Sequence, residues 1–131
     1  MTYARVAQHL YAVRVSESLN WLSVPEFADA LSVEPAQVRD MLRQRDIVAV
    51  RRGENNALHI PAEFLIYTEG SRTRVIPTLP GTLTQLSDAR LTDDEMIEWL
   101  STDLDELGTT PLDALREGKR APVRRAAQSL G

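Results

Sequence analysis

The chain has 131 residues, 43% of them hydrophobic, which suits one compact domain with its own core. It contains no cysteine, which excludes disulfides and thiolate metal sites, and its two histidines lack the spacing of metal ligands. The formal charge of −4 argues against a general nucleic-acid coat, and neither a signal-peptide pattern nor an apolar stretch of roughly 20 residues is present. These totals predict a cytoplasmic protein without a membrane span.

The N-terminal segment contains "YARVAQHLYAV", whose apolar residues have helical spacing and predict a helical extension over residues 1–19. A stronger signal follows at Ser23 and Glu26, which have the types and spacing of a capping box at a helix start. The next apolar residues fall on one helical stripe: Val24, Phe27, Ala28 and Leu31. This stripe predicts a first short helix that stops before "SVE".

A second helix is predicted over residues 35–45, because Pro35 occupies the position where proline is favoured at a helix start. Its inner face consists of Val38, Met41 and Leu42. Its outer face carries the candidate binding residues Ala36, Gln37, Arg39, Asp40, Arg43 and Gln44.

The spacing of the apolar residues changes after Asp46. Alternating residues in "IVAVRR" and "ALHI" flank the turn-forming sequence "GENN". This pattern predicts a β-hairpin over residues 47–60. The hairpin adds five candidate binding residues: Arg51, Arg52, Asn55, Asn56 and His59.

The rest of the chain is predicted to be rich in turns and then in helices. Pro61 opens a short helical turn, and Glu69 and Gly70 mark a small second hairpin within a linker over residues 67–78. Residues 79–131 are predicted to form a C-terminal helical domain. Its four short helices are predicted to begin at Leu79, at the Thr92–Glu95 capping box, at Thr110–Pro111 and at Pro122.

The predicted core draws on both halves of the chain. The two tryptophans, Trp21 and Trp99, are expected to be core residues. The last helix is expected to bury Val123, Ala126, Ala127 and Leu130. We predict that the C-terminal helices pack on the first part as one body, because so small a helical unit buries only a marginal core by itself.

Two short helices joined by a tight turn and followed by a hairpin form a winged helix-turn-helix, here over residues 20–66. The predicted fold is therefore mainly α, with a small β-hairpin wing and a C-terminal bundle of short helices. The second helix would enter the major groove of B-DNA and the wing would lie on the backbone. With five arginines between Arg39 and Arg52, this arrangement predicts a sequence-selective regulator of transcription or chromosome function that binds double-stranded DNA.

The segment "LSVPEFADALSVEPAQVRDMLRQRDIVAVRRGENNALHIPAEFL" resembles the DNA-binding unit of the MerR and excisionase superfamily. The residues that match this pattern are Ala28, Leu31, Val33, Val38, Leu42, Val50, Arg51, Ile60 and Pro61. The resemblance implies that the second helix reads DNA and that the hairpin is the wing. The chain lacks the long C-terminal coiled coil by which MerR-type regulators dimerise, so the sequence leaves open whether the protein forms a homodimer or stays a monomer.

Most of the chain from Asn20 to Leu130 also resembles a family of small actinobacterial winged-helix DNA-binding regulatory proteins. The features that carry this resemblance are "LPGTLTQL" directly after the wing and "PLDALREG" in the tail. The tail is more weakly similar to the toxin-binding domain of Xre/MbcA-type antitoxins. That similarity implies an alternative function, in which the C-terminal helices bind a protein partner.

Other functions find less support in the sequence. There is no catalytic set, no glycine-rich phosphate loop and no cofactor motif, so an enzyme is not predicted. Eight carboxylates lie between Asp88 and Glu106 and are typical of solvated helix starts. Within them, "DLDELG" resembles the start of a calcium loop at Asp103, but the match fails because Leu107 holds the fifth place and Ala114 the twelfth, where a bidentate glutamate is required. The basic tail "LREGKRAPVRR" is open to three interpretations: a solvated surface, a second phosphate contact or a protein-binding edge.

Overall fold

The computed structural model describes residues 19–130, so nearly all of the predicted N-terminal extension lies outside the described residues. In chain order the elements are β1 (Trp21–Ser23), α1 (Val24–Leu31), α2 (Pro35–Arg43), β2 (Val50–Arg52), β3 (Ala57–Pro61), a 3₁₀ turn (Ala62–Phe64), β4 (Leu65–Ile66), β5 (Arg74–Val75), α3 (Leu79–Asp88), α4 (Asp93–Leu100), α5 (Pro111–Arg116) and α6 (Arg120–Gln128). The mainly α fold with a small antiparallel wing, predicted from the sequence, is confirmed.

The helix-turn-helix forms where the local sequence signals place it. The Ser23 hydroxyl accepts the amide N–H of Glu26 at 3.2 Å, and the Glu26 carboxylate accepts the N–H of Ser23 at 2.8 Å. These bonds lower the pKa of Glu26 below its ordinary value of 4.5. Ser32 then adopts a left-handed conformation with a φ of 60°, and Val33 N–H closes the helix end on the carbonyl of Ala28.

The wing is a three-stranded sheet rather than the predicted hairpin alone. Its strand order is β1-β3-β2, and both pairs are antiparallel. Leu22 pairs with Ile60 on one side of β3, and Arg51 pairs with Leu58 on the other. The predicted range of 47–60 began too early, since Ile47, Val48 and Ala49 are buried and β2 starts at Val50.

The second helix ends at Arg43, two residues before its predicted end. Arg45 has a φ of 65°, which takes it out of the helix. Arg45 N–H bonds to the carbonyl of Leu42, and Asp46 N–H bonds to the carbonyl of Met41, which is the hydrogen-bond pattern of a Schellman motif. Glycine usually occupies the left-handed position in that motif, so the sequence carried no stop signal at this point.

The C-terminal helices begin close to the predicted positions, with two corrections to the last one. Thr92 and Glu95 form the predicted capping box of α4, and Thr110 caps α5. The last helix, α6, starts at Arg120 rather than Pro122. Leu130 lies after its end and is 41% exposed, so the prediction that it belongs to the core was wrong.

One hydrophobic cluster joins the winged unit to the C-terminal helices. It includes Phe27 and Ile60 from the first part and Leu86, Leu100 and Val123 from the second. The two tryptophans pack against this cluster but are only half-buried, which corrects the expectation that they lie fully in the core.

Three hydrogen bonds reinforce the junction, two from a side chain and one between main-chain groups. The Arg116 guanidinium donates to the carbonyls of Glu63 and Leu65 at 2.8 and 2.5 Å. Ile76 N–H donates to the carbonyl of Phe64 at 2.9 Å. The small second hairpin predicted around Gly70 is present as the pair β4 and β5, and it directly precedes Ile76.

Candidate nucleic-acid interface

The outer face of α2 is open to solvent. Val38 is fully buried, and Met41 and Leu42 are half-buried, which fixes the orientation of the helix. The predicted binding residues on the outer face are exposed, apart from the half-buried Asp40: Ala36, Gln37, Arg39, Arg43 and Gln44. Arg39 and Arg43 are four residues apart and therefore project from neighbouring positions on this face.

Three of these residues already have partners within the protein. Arg43 forms an ion pair with Asp40 at the surface of the helix. The Gln37 side-chain oxygen accepts the N–H of Glu34 at 2.9 Å, which leaves its amide hydrogens for another acceptor. Within residues 19–130, Arg39 has no ion-pair partner. Arg39 is thus the arginine of α2 whose donors are most available.

Arg51 is tied to the turn of the wing. Its guanidinium donates to the carbonyl of Asn56 at 3.1 Å. Asn56 has a φ of 52° and Gly53 a φ of 78°, and both residue types tolerate this left-handed backbone. Asn55 and Asn56 are exposed at the tip. This arrangement presents Arg51 and the two asparagines together at the end of the hairpin.

Arg52 lies on the opposite face of the sheet from Arg51, because successive residues of a strand point to opposite faces. Its guanidinium carbon lies 4.4 Å from the centroid of the Trp21 ring. His59 is half-buried on the same face as Arg52, and its Nδ1 donates to the carbonyl of Ala57 at 2.8 Å. The sequence did not single out Trp21 as part of this site, because β1 carries no recognisable strand signal.

Arg45 is drawn away from this surface. It forms a bidentate ion pair with Asp93, with nitrogen–oxygen distances of 2.7 and 3.2 Å. The hydrogen bonds that the guanidinium donates to this carboxylate raise the pKa of Arg45 above its ordinary value. The pair joins Arg45, two residues after the end of α2, to the first turn of α4, so Arg45 contributes to the junction between the two parts.

The basic tail forms a separate surface on α6. This helix buries Val123, Ala126 and Ala127 against the core. Arg120, Arg124 and Arg125 are exposed, and none of them has an ion-pair partner within residues 19–130. The side-chain amide of Gln85 donates to the carbonyl of Arg124 at 3.0 Å, which holds α6 against α3.

Neither a metal centre nor a membrane segment is found in the part of the chain that the structure describes. Within it, no three histidine, aspartate or glutamate side chains are grouped so that they could hold a metal ion. None of the described helices is long and apolar enough to cross a membrane.

The helix-turn-helix, its three-stranded wing and the exposed arginine face of α2 define a winged helix-turn-helix protein with an appended helical unit. Family models match both parts. Residues 12–65 match "DNA-binding protein Rv2175c, wHTH domain", and residues 76–131 match "Rv2175c C-terminal domain of unknown function". The chain belongs to the Rv2175c family.

Two comparisons with single proteins agree with this assignment. The chain is 33% identical over 119 residues to the DNA-binding protein Rv2175c of Mycobacterium tuberculosis, a match that covers 82% of this chain and 77% of that protein. It also matches the NMR structure of Rv2175c with a TM-score of 0.69 and 30% identity, covering 86% of this chain and 82% of that one. The predicted resemblance to a small actinobacterial winged-helix family is thereby confirmed. The finer likeness to MerR and excisionase units, and that of the tail to antitoxins, stay predictions.

Proposed function

We propose that this protein binds double-stranded DNA sequence-selectively, with α2 in the major groove and the wing on the phosphate backbone, and that it regulates transcription or chromosome function in the cytoplasm. The observation that carries this proposal is the exposed face of α2, where Arg39 and Arg43 stand beside Gln44 without apolar cover. Membership of a family whose relative is named a DNA-binding protein supports it.

The electrostatics of the chain suit such a role. The positive groups of α2 and the wing lie close together in sequence, while residues 75–131 carry ten acidic and six basic groups. A local positive surface attracts phosphates, and the acidic remainder disfavours indiscriminate contact through other surfaces. This division lets an acidic protein bind DNA through one surface.

The first test measures how salt affects binding to a duplex selected from a random pool. With Arg45 paired to Asp93, α2 and the wing offer about three or four arginine–phosphate contacts, and we expect the slope of log K against log salt to be about −3 to −4, since each contact contributes roughly 0.9. Fluorescence anisotropy titrations between roughly 50 and 200 mM salt provide the slope. A slope near zero would show that the arginines do not contact phosphates and would remove the main support for the proposal.

A second prediction distinguishes Arg45, which is paired with Asp93, from Arg52 in the wing. Replacing Arg45 with glutamine should leave the salt slope unchanged, because Asp93 already neutralises its guanidinium. The half-exposed pair should contribute only about 0.2–1 kcal/mol to the free energy of unfolding. As the matched control, Arg52→Gln should make the slope shallower by about one unit. An equal change in both variants would mean that Arg45 leaves Asp93 to contact DNA.

The C-terminal helices offer a second candidate function, in which they bind a protein partner. The specific observation is that α6 presents three exposed arginines and is followed by the exposed Leu130. Such a mixed basic and apolar edge suits an acidic protein surface or a second copy of the chain. Sedimentation analysis distinguishes a monomer from a homodimer, and pull-down with wild-type and Arg124→Glu proteins tests whether α6 is the binding edge.

A further inference from the structure

The stacking of Arg52 on Trp21 links two strands that are not neighbours in the sheet. Trp21 pairs with Pro61, and Arg52 pairs with Ala57, on opposite edges of β3. Both pairs fall on the same face, since Ala57 and Pro61 are an even number of residues apart on the central strand. The arginine and the ring therefore meet across the width of the wing, at 4.4 Å.

This geometry fixes a guanidinium without consuming its hydrogen-bond donors. The electron-rich face of an indole attracts a cation, and the Arg52 guanidinium carbon lies over the Trp21 ring. Its N–H groups lie in the plane of the guanidinium and point outward, where they can reach a phosphate. Arg51, by comparison, already uses one N–H group on the carbonyl of Asn56.

We propose that Trp21 is a positioning residue for DNA binding, which holds the Arg52 guanidinium ready to donate to a backbone phosphate. This inference rests on the proposed function. A held guanidinium loses less conformational freedom when it binds than a free one, so the affinity of the wing for the backbone is higher. Strand β1 thus does more than pair with β3, because it also carries the Trp21 ring on which Arg52 lies.

The purely structural explanation is that Trp21 only packs against the core. Trp21 is half-buried and does contact the hydrophobic cluster. Packing alone, however, would make its replacement equally harmful whether or not Arg52 is present. The coupling between the two residues therefore distinguishes positioning from packing.

The experiment is a double-mutant cycle with Trp21→Leu and Arg52→Gln in the full chain, measured on the selected duplex. With Arg52 present, we expect Trp21→Leu to weaken binding by roughly two- to tenfold, the equivalent of one side chain losing its preorganisation. With Arg52→Gln already in place, the same replacement should have little further effect. Trp21→Phe retains a ring face and should restore most of the affinity.

A spectroscopic measurement serves as the independent readout. In a Trp99→Phe protein, Trp21 becomes the only tryptophan, and its emission should change when DNA is added. That change should be smaller when Arg52 is replaced by glutamine. If Trp21→Leu does not fold, as judged by circular dichroism, the Trp21→Phe variant and this emission change decide the question.

The outcomes separate the two proposals. The positioning role is overturned if Trp21→Leu lowers the affinity for DNA equally with and without Arg52, or lowers it in neither background. The proposal that the wing binds DNA would remain intact in both cases. If instead Arg52→Gln alone changes neither the affinity nor the salt slope, the assignment of the wing to the backbone fails.

Discussion

Replacing Phe64 with alanine is expected to lower the free energy of unfolding by about 3–5 kcal/mol, as is usual when a large buried ring is removed. Phe64 has 0% exposure and stands in the 3₁₀ turn between the winged unit and the C-terminal helices. Its carbonyl also accepts the N–H of Ile76 from the start of the second part. The cavity would therefore weaken both halves at once.

The two tryptophans allow each half to be observed separately. Trp21 lies in β1 and Trp99 in α4. The Trp99→Phe protein therefore reports on the winged unit, and the Trp21→Phe protein reports on the C-terminal helices. Because the hydrophobic cluster is shared, we expect both signals to give the same denaturant midpoint, and Phe64→Ala to shift both equally. Separate midpoints for the two signals would show that the C-terminal helices unfold independently.

A nearby aromatic residue provides the matched control. Tyr67 is three positions from Phe64 but is 70% exposed. Its replacement by alanine should change the free energy of unfolding by no more than about 0.5 kcal/mol, as expected for a surface substitution. A similar loss from both replacements would mean that burial at the junction does not explain the effect of Phe64→Ala.

The parts of the fold that could be predicted depend on interactions between residues close in sequence. The Ser23–Glu26 and Thr92–Glu95 boxes are four-residue patterns whose hydrogen bonds form within one helical turn. The "GENN" turn is likewise determined by its own residues, which tolerate left-handed backbone at Gly53 and Asn56. These local signals were enough to place the helix-turn-helix and the wing in order.

The parts that could not be predicted depend on contacts between distant residues or on unusual choices at helix ends. Strand β1 has three residues and forms because β3, almost forty positions later, offers an edge to it. The ion pair of Arg45 with Asp93 joins residues 48 positions apart. Arg45 also ends α2 in a left-handed conformation that glycine would normally signal.

The same distinction applies to the candidate interface. Helical spacing placed Arg39 and Arg43 on one face, and the structure leaves both exposed. Spacing could not show that Arg43 pairs with Asp40 or that Arg52 stacks on Trp21, because rotamers depend on the neighbours that folding brings near. A count of arginines therefore overestimates the number that are free to bind DNA.

Arg39→Ala is expected to weaken binding to the selected duplex far more than binding to a scrambled one. Arg39 lies in the first turns of α2, where a recognition helix usually meets base edges. An arginine there can bond to both O6 and N7 of a guanine, a contact that contributes about 1–3 kcal/mol of discrimination. That energy corresponds to a loss of roughly five- to 150-fold in selectivity.

Two other arginines serve as controls for this measurement. Arg52→Ala should weaken binding to both duplexes alike, because backbone phosphates carry no direct sequence information. Arg125→Ala removes an exposed arginine on α6, outside the proposed interface, and should leave the ratio of the two affinities unchanged. Measuring all three variants at one salt concentration keeps the phosphate contribution comparable. If Arg39→Ala loses affinity equally on both duplexes, α2 contacts only the backbone, and sequence must be read by another part of the protein.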